Sequence, residues 1–463
     1  MKFGGTSVGD GPRIKNVAKL VKKYHDQGNE VIAVASAMTG ITDKLFEMAQ
    51  TAKDTCNIAE IEKSFSEVSQ RHEAAIASAI DDEAVRSEVS AVIDQRLLEL
   101  KNALVGVCYL GELTNRSLAY IYSFGERMSV PILSGSLRSM GVKSVALSGG
   151  EAGVITDSKF ESAKPEPITD VKVKEKLTPL LKDNVLPVIT GFVAANEKGT
   201  ITVLGRGGSD YSASIIGAAI DADEIWIYTD VNGIMTTDPR IVPEARTLPV
   251  VTYLEAMEMS YFGAKVLHPK TIEPAVRKGI PVRVLNTFQP DHPGTLVLME
   301  DGSDHRCLIK AVTMIKNIAL INISGAALSG TPGTAGRIFT ALGRDDVNII
   351  MISQASSEFN VSLAIDGAQV DKALVALGKE FSEEIVSNVT CNNNVCVIAV
   401  VGERMAGSPG VAGKLFTALG SQGINIRMIS QGSSEANISF VVNKDDARKA
   451  VKVLHDVFEL NKL

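Results

Sequence analysis

Residues 318–381 align without a gap onto 395–458, at a constant offset of 77. A repeat of this size restricts the fold sharply, because each copy is one supersecondary unit that buries its apolar face against a neighbour. The run Gly330-Thr-Pro-Gly-Thr-Ala-Gly-Arg-Ile-Phe-Thr-Ala-Leu-Gly343 answers Gly407-Ser-Pro-Gly-Val-Ala-Gly-Lys-Leu-Phe-Thr-Ala-Leu-Gly420. Likewise Asn348-Ile-Ile-Met-Ile-Ser-Gln-Ala-Ser-Ser-Glu358 answers Asn425-Ile-Arg-Met-Ile-Ser-Gln-Gly-Ser-Ser-Glu435. Each copy reads strand, helix, strand, strand, helix. In the first, 317–324 is apolar and β-branched, Gly and Pro punctuation opens a helix at 334–342, strands follow at 347–353 and 360–365, and a helix at 370–381 places Val370, Ala373, Leu374 and Leu377 on one face. Copy one gains a last strand at 384–389, whereas copy two reaches Leu463 without one, and a spare strand, 309–315, precedes copy one. The first module (about 316–390) is therefore expected to be inserted into the second (about 305–315 plus 391–463), as two βαββαβ sheets with helices on one face.

Upstream of the repeat the pattern is α/β. Apolar strand runs recur at 31–35, 142–147, 186–190, 224–229 and 281–286, separated by stretches of helical length, as in a mostly parallel sheet sandwiched by helices. Residues 43–107 carry charges at helical spacing with almost no strand signal and read as a helical subdomain. Turn-rich sequence near 288–304 sets a boundary between domains 1–300 and 301–463. The chain's 463 residues suit two or three domains. Lys plus Arg number 47 against 54 Asp plus Glu, and the net charge of −7 disfavours nucleic acid as a partner. No apolar run approaches the ~18 residues that would span a bilayer, and no leader opens the chain, so a cytoplasmic location without membrane association is expected. Five scattered cysteines and six histidines show no metal-ligand spacing, so no protein-built metal site is expected and the thiols read as reduced.

Four polar constellations stand at strand ends. Lys2-Phe-Gly-Gly-Thr-Ser-Val8 runs from a strand into a turn where Gly4 and Gly5 let backbone N–H groups approach an anion, with Lys2 adding charge. Gly205-Arg-Gly-Gly-Ser-Asp210 precedes a small-residue helix at 211–219; Arg206 can grip a carboxylate, though Ser209 or Asp210 could also be no more than a helix cap. Thr229-Asp-Val-Asn-Gly-Ile-Met-Thr-Thr-Asp-Pro-Arg240 follows a strand, where open α/β sheets bind ligands, yet its Asn-Gly and Asp-Pro are also ordinary turns. Ser123-Phe-Gly-Glu-Arg-Met-Ser129 and Ser36-Ala-Met-Thr-Gly-Ile-Thr42 complete the set, with a surface ion pair of Glu126 and Arg127, or caps at Ser36 and Thr42, as the plainer readings.

Together with Phe262-Gly-Ala-Lys-Val-Leu-His-Pro269, these motifs resemble the aspartate kinases of the amino-acid kinase superfamily, and the repeat resembles their paired ACT regulatory modules. The resemblance runs from residue 2 to the C-terminus. It implies an amino-acid-kinase-like fold and a reaction of ATP, with Mg²⁺, and L-aspartate to 4-phospho-L-aspartate, the first step toward lysine, threonine and methionine. It also implies the monofunctional form, since no dehydrogenase segment follows the repeat. Only Met1 precedes Lys2, which shortens the first strand and points to a native start further upstream. By resemblance Lys2 and Asp210 are the catalytic pair. Gly4, Gly5 and Ser209 line the phosphate path, and Ser36, Thr42, Glu126 and Arg206 hold aspartate. Lys2, Thr229, Asp230, Met235, Arg240, Lys265 and Val266 serve ATP, with Met235 standing where the family often has Tyr. The modules imply a homodimer or homotetramer and an amino-acid effector, threonine or lysine, near Gly330, Asn348 and Gln354. Two alternatives stay open: another amino-acid kinase (for glutamate, N-acetylglutamate or UMP), and a catalytically silent ACT sensor.

Overall fold

The structure, a computed structural model, describes the chain except residues 264–266, 301–306, 326–332, 355–359 and 382–387. It divides into two compact units, Met1–Ile234 with Val266–Glu300 and Met235–Lys265 with Asp301–Leu463. The segment Met235–Lys265, grouped by sequence with the first domain, thus clusters with the second. The physical reason is apolar burial: Val242 is enclosed in one core with Val312, Ile398 and Leu454.

In the first unit, β1 (Lys2–Phe3) lies between β2 (Ala33–Ala35) and β8 (Ile225–Thr229), parallel to both. Beyond β2 come β5 (Leu186–Thr190) and β3 (Ser144–Leu147), and beyond β8 comes β10 (Val282–Asn286), all parallel, before the antiparallel β11 (Thr295–Leu298). A small sheet of β4 (Ile155–Thr156), β6 (Val193–Asn196) and β7 (Ile201–Val203) stands beside it. Every residue of β5 is buried, the continuous apolar run expected of a strand covered on both faces. Parallel pairing has one consequence for function: the C-terminal ends of β1, β2 and β8 open on the same edge of the sheet.

Helices α1 (Gly11–Asp26), α5 (Asn115–Ser139), α6 (Thr169–Lys182), α7 (Gly208–Ala219) and α9 (Pro269–Lys278) alternate with these strands. The helical block is α2 (Ile41–Asp54), α3 (Ile58–Ala79) and α4 (Glu83–Leu110), each of the last two capped by an Asn or Asp side chain. Here the thiol reading is corrected. Cys56, just past α2, and Cys108, in the last turns of α4, form a disulfide with Cα atoms 5.0 Å apart. Fifty-two residues separate the two in sequence, and helix packing, which spacing does not reveal, brings them together. Cys307, Cys391 and Cys396 are free.

The second unit opens with β9 (Val250–Thr252) and α8 (Tyr253–Tyr261), whose start is fixed by a reciprocal capping box between Thr252 and Glu255. Its main sheet has six strands in the order β13 (Ile349–Gln354), β14 (Asn360–Asp366), β12 (Ala311–Ser324), β15 (Asn388–Val401), β17 (Asn437–Asn443) and β16 (Ile426–Ser430). Where two sheets were expected there is one. The spare strand and the first strand of copy one are continuous in β12, and β15 likewise runs through both modules. No glycine or proline separates the two halves of β12. The join at Ile315–Ile318 is instead a register shift, with Asn317 at φ 59°. Residues Ala311–Ile315 pair with Val397–Val401, which puts the spare strand alongside the second copy. Helices α10 (Thr334–Arg344) and α11 (Val370–Glu380) pack in one core, and α12 (Val411–Ser421) and α13 (Lys444–Val457) in the other. Phe440 is wholly buried in the latter. Phe440→Ala should destabilise this unit by about 3–5 kcal/mol, read as a lower urea midpoint; an unchanged midpoint would show that this core does not carry the unit.

Candidate active site

Where β1 and β2 end, a cavity of about 770 Å³ opens, lined by residues from three of the four motif groups, the 229–240 loop contributing none. Its charged centre is the ion pair of Lys2 and Asp210, Nζ to Oδ1 at 2.5 Å. Lys2 leaves the end of a central strand and is only 8% exposed, so its ammonium needs the partner that α7 supplies. Helix α7 begins earlier than the sequence suggested. Gly207, at φ 72°, is its N-cap, a left-handed conformation that glycine adopts without strain, and a Cβ there would meet the Thr271 side chain at 2.8 Å. Ser209 and Asp210 therefore lie inside the first turn and do not cap it. The first-turn N–H groups lack helical carbonyl partners and leave a positive end on the cavity wall.

Facing this wall, Ser36 donates to Ser209, Oγ to Oγ 2.9 Å. Helix α5 fixes the Ser36 turn from below: Ser129 Oγ donates to the Ser36 carbonyl at 2.7 Å, and Ala37 N–H donates to Glu126 Oε1 at 3.0 Å. Glu126 is 3% exposed, and its Oε2 has no partner among the described residues. Burial pushes its carboxyl up to about 8. The plainer reading of Glu126 with Arg127 as an ion pair is thus excluded, since Arg127 pairs with Glu99 at 2.8 Å. Thr42 in the first turn of α2, Gly4, Gly5 and the exposed Arg206 also line the cavity. What the arrangement offers is a partly unsatisfied carboxylate for a cation, an exposed guanidinium for a carboxylate, and a lysine beside open backbone N–H groups for phosphate.

Sequence reasoning missed one wall. Phe46 stacks on Tyr122 at 6.1 Å, and Tyr122 meets Phe192 edge-on at 6.3 Å, all three lining the cavity. Tyr122 adjoins the Ser123–Ser129 motif and could have been suspected from that; Phe46 and Phe192 carry no local signal.

Other expected residues lie elsewhere. Thr229 and Asp230 end β8 outside the cavity lining, with Thr229 Oγ1 donating to Asp230 Oδ1 at 3.2 Å. In the second unit Met235 bridges to Thr247, and Arg240 folds onto Asp238, its Nε and Nη2 each donating at 2.9 Å, while its side chain stays 85% exposed. Lys265 and Val266 fall outside the described residues, as does Gly330. Asn348 precedes β13 and donates its N–H to Gln369 Oε1 at 3.2 Å; Gln354 ends that edge strand.

Comparison with known proteins identifies the family. Residues 1–286 match the amino acid kinase family, and residues 321–381 and 398–458 each match the ACT domain. A bifunctional aspartokinase/homoserine dehydrogenase of Daucus carota is 35% identical over 474 residues, covering 100% of this chain and 50% of the relative. The chain thus spans about half the length of the bifunctional plant enzymes it matches. Aspartokinase 2 of Arabidopsis thaliana is 34% identical, covering 99% of this chain and 84% of that protein. Among solved structures, E. coli aspartokinase III with lysine and aspartate superposes with a TM-score of 0.81 at 28% identity over 98% of both chains. The same enzyme with aspartate and ADP gives 0.79 at 28% identity, again over 98% of each. With residues 1–286 matching the kinase family and a monofunctional aspartokinase matched over 99% of the chain, the chain belongs to the aspartokinases of the amino acid kinase family, the kinase fold being followed in sequence by two ACT-domain repeats.

Proposed function

We propose that the chain phosphorylates the side-chain carboxylate of L-aspartate with ATP, giving 4-phospho-L-aspartate. The observation that carries this reading is the placing of Glu126 and Arg206, complementary to the ammonium and carboxylate of an amino acid, in one cavity with the Lys2–Asp210 pair. The attacking carboxylate, which ordinarily titrates near about 3.9, is ionised at neutral pH, so no general base is required. The barrier is repulsion between that anion and the triphosphate. Lys2, with the N–H groups at Gly5 and the start of α7, neutralises charge on the transferred phosphoryl group, while Gly4, whose N–H donates to the Tyr228 carbonyl at 3.4 Å, lines the phosphate path. Asp210 orients Lys2 and takes no proton. Arg206 grips the α-carboxylate, Glu126 the ammonium, and Ser36, Thr42 and Ser209 complete the amino-acid side. Thr229, Asp230, Met235, Arg240, Lys265 and Val266 serve the nucleotide. Among the described residues no cluster of three His, Cys, Asp or Glu could hold a metal. That donor set suits a magnesium ion carried in by the phosphates, with Asp210 the carboxylate in reach, and the ion would supply further charge neutralisation. The ACT repeat takes an amino-acid effector, threonine or lysine, near Gly330, Asn348 and Gln354. The lysine complex of the E. coli relative supports lysine. Assembly to a dimer or tetramer through the ACT sheet fits the exposed Ile352 and Ile429 on its edge strands. All substrates are water-soluble, consistent with a cytoplasmic enzyme, and no described helix is long and apolar enough to cross a membrane.

A coupled assay of ADP release with aspartate, glutamate, N-acetylglutamate or UMP tests the reading; release that does not depend on aspartate would overturn it. Lys2→Ala should lower kcat by about 10²–10³, and near-normal turnover would remove Lys2 from the chemistry. Arg206→Ala should raise the aspartate KM about tenfold or more with a smaller change in kcat. An unchanged KM would free Arg206 of that role.

The raised carboxyl of Glu126 sets a pH dependence. Below about 8 the free site holds a proton that an incoming ammonium must displace. Aspartate affinity should therefore rise with pH up to that value, by at most about tenfold per unit. Calorimetry in buffers of different ionisation enthalpy should detect proton release on binding, and Glu126→Gln should abolish it. Proton uptake, or none, in the wild type would contradict the assignment.

A further inference from the structure

The 229–240 loop does not end where the first unit ends. The compact division falls inside it, between Ile234 and Met235, so its second half folds with the ACT repeat. Thr236 is the anchor of that half. It is completely buried, its N–H donates to the Arg246 carbonyl at 2.9 Å, and its own carbonyl accepts from Val312 N–H of β12 at 2.8 Å. Its Oγ1 accepts from Arg246 N–H at 3.0 Å and hydrogen-bonds His455 Nε2 at 3.0 Å. His455 belongs to α13, the last helix of the repeat, and is likewise completely buried. Burial pulls its pKa down, which keeps the ring neutral and able to share a hydrogen bond with a hydroxyl. Two residues beyond Thr236, the Asp238 carboxylate receives the Arg240 guanidinium and thereby sets its direction. Val242 then seats the segment in the core that also holds Leu454. The same stretch is tied again further on, where Glu255 Oε1 accepts from Glu403 N–H at 3.1 Å.

We infer that His455 is a positioning residue for the nucleotide: through Thr236 it fixes the second half of the 229–240 loop, so that α13 of the ACT repeat sets the affinity for ATP. This rests on the aspartokinase reading only in taking that loop as the nucleotide loop. The carrying feature is the pairing of two fully buried polar side chains, one in the loop and one in a helix 219 residues later. Neither group can turn to water if the other withdraws, so a shift of α13 costs the loop a buried hydrogen bond. The shift is then passed along the short chain from Thr236 through Asp238 to Arg240. Any displacement of α13 by an effector would reach the nucleotide side by this route, without any change at Glu126 or Arg206.

The test uses the full chain and a fluorescent ATP analogue, N-methylanthraniloyl-ATP, in binding titrations that do not require turnover. His455→Leu keeps bulk and loses the hydrogen bond, His455→Gln keeps a donor and an acceptor, and Thr236→Val removes the hydroxyl. His455→Leu and Thr236→Val should each weaken analogue binding about five- to tenfold, leave the aspartate KM within about twofold, and fail to add when combined. His455→Gln should recover most of the loss. Equal weakening of both ligands, or a lowered melting temperature with normal analogue binding, would make His455 merely structural and overturn the inference. Should His455→Leu fail to fold, Thr236→Val and His455→Gln decide by the same criteria. Wild type that binds the analogue but releases no ADP on adding aspartate would sink the aspartokinase reading while leaving His455 to be judged by binding. Wild type that binds no analogue would overturn the inference itself.

Discussion

The ion pair of Lys2 and Asp210 is the contact on which the rest of the first unit's site depends. An ammonium that is 8% exposed at the end of a central strand is tolerable only beside an opposite charge. Asp210 reaches it because left-handed Gly207 starts α7 early enough to aim the first turn back at β1. Once those two elements are pinned, Ser209 falls opposite Ser36, and the turn after β2 must lie where Ser129 and Glu126 of α5 can hold its backbone. Three segments far apart in sequence therefore share one small set of hydrogen bonds, and the cavity is what they leave between them.

Two carboxyl groups in this cavity meet different surroundings. Asp210 lies against Lys2 from the first turn of α7. Glu126 is buried, accepts the Ala37 N–H at one oxygen and leaves the other unpartnered among the described residues, and its burial disfavours its charge. A buried acceptor left without a partner is costly in a resting protein. It becomes useful only when a ligand brings the missing donors, and an amino-acid ammonium brings three. Under the proposed function, an amino-acid ammonium would bring this oxygen the donors it lacks.

Much of this was legible in the sequence, for reasons that particular elements make clear. The strand expected at 186–190 is found with the same bounds, because a fully buried strand is a continuous apolar run that needs no context. The helix expected at 370–381 ends one residue earlier, at Glu380. The motif groups, each compatible with a turn, a cap or an ion pair when read singly, take their chemistry from the resemblance of the whole set to the aspartate kinases. What stayed hidden depends on tertiary contact. The early start of α7 hangs on a φ value, and the disulfide on the packing of α2 near α4. Phe46 looks like any helical aromatic until Tyr122 is placed against it. The fusion of two sheets into one escaped because β12 is joined by a bulge, which has no residue signature as strong as a Gly-Pro turn.

That fusion changes what the repeat can do. Had the modules been separate sheets, each could tilt without consequence for the other. Instead β12 and β15 are shared, so both modules hang on the same two backbones. A strand with one buried face resists sliding, since a one-residue slip would turn its apolar side chains outward. β12 also carries Val312, whose N–H donates to the Thr236 carbonyl, and β15 and β17 contribute to the core where α13 lies. The two copies thus share the backbones of β12 and β15, and the stretch Met235–Lys265 clusters with them in the same compact unit.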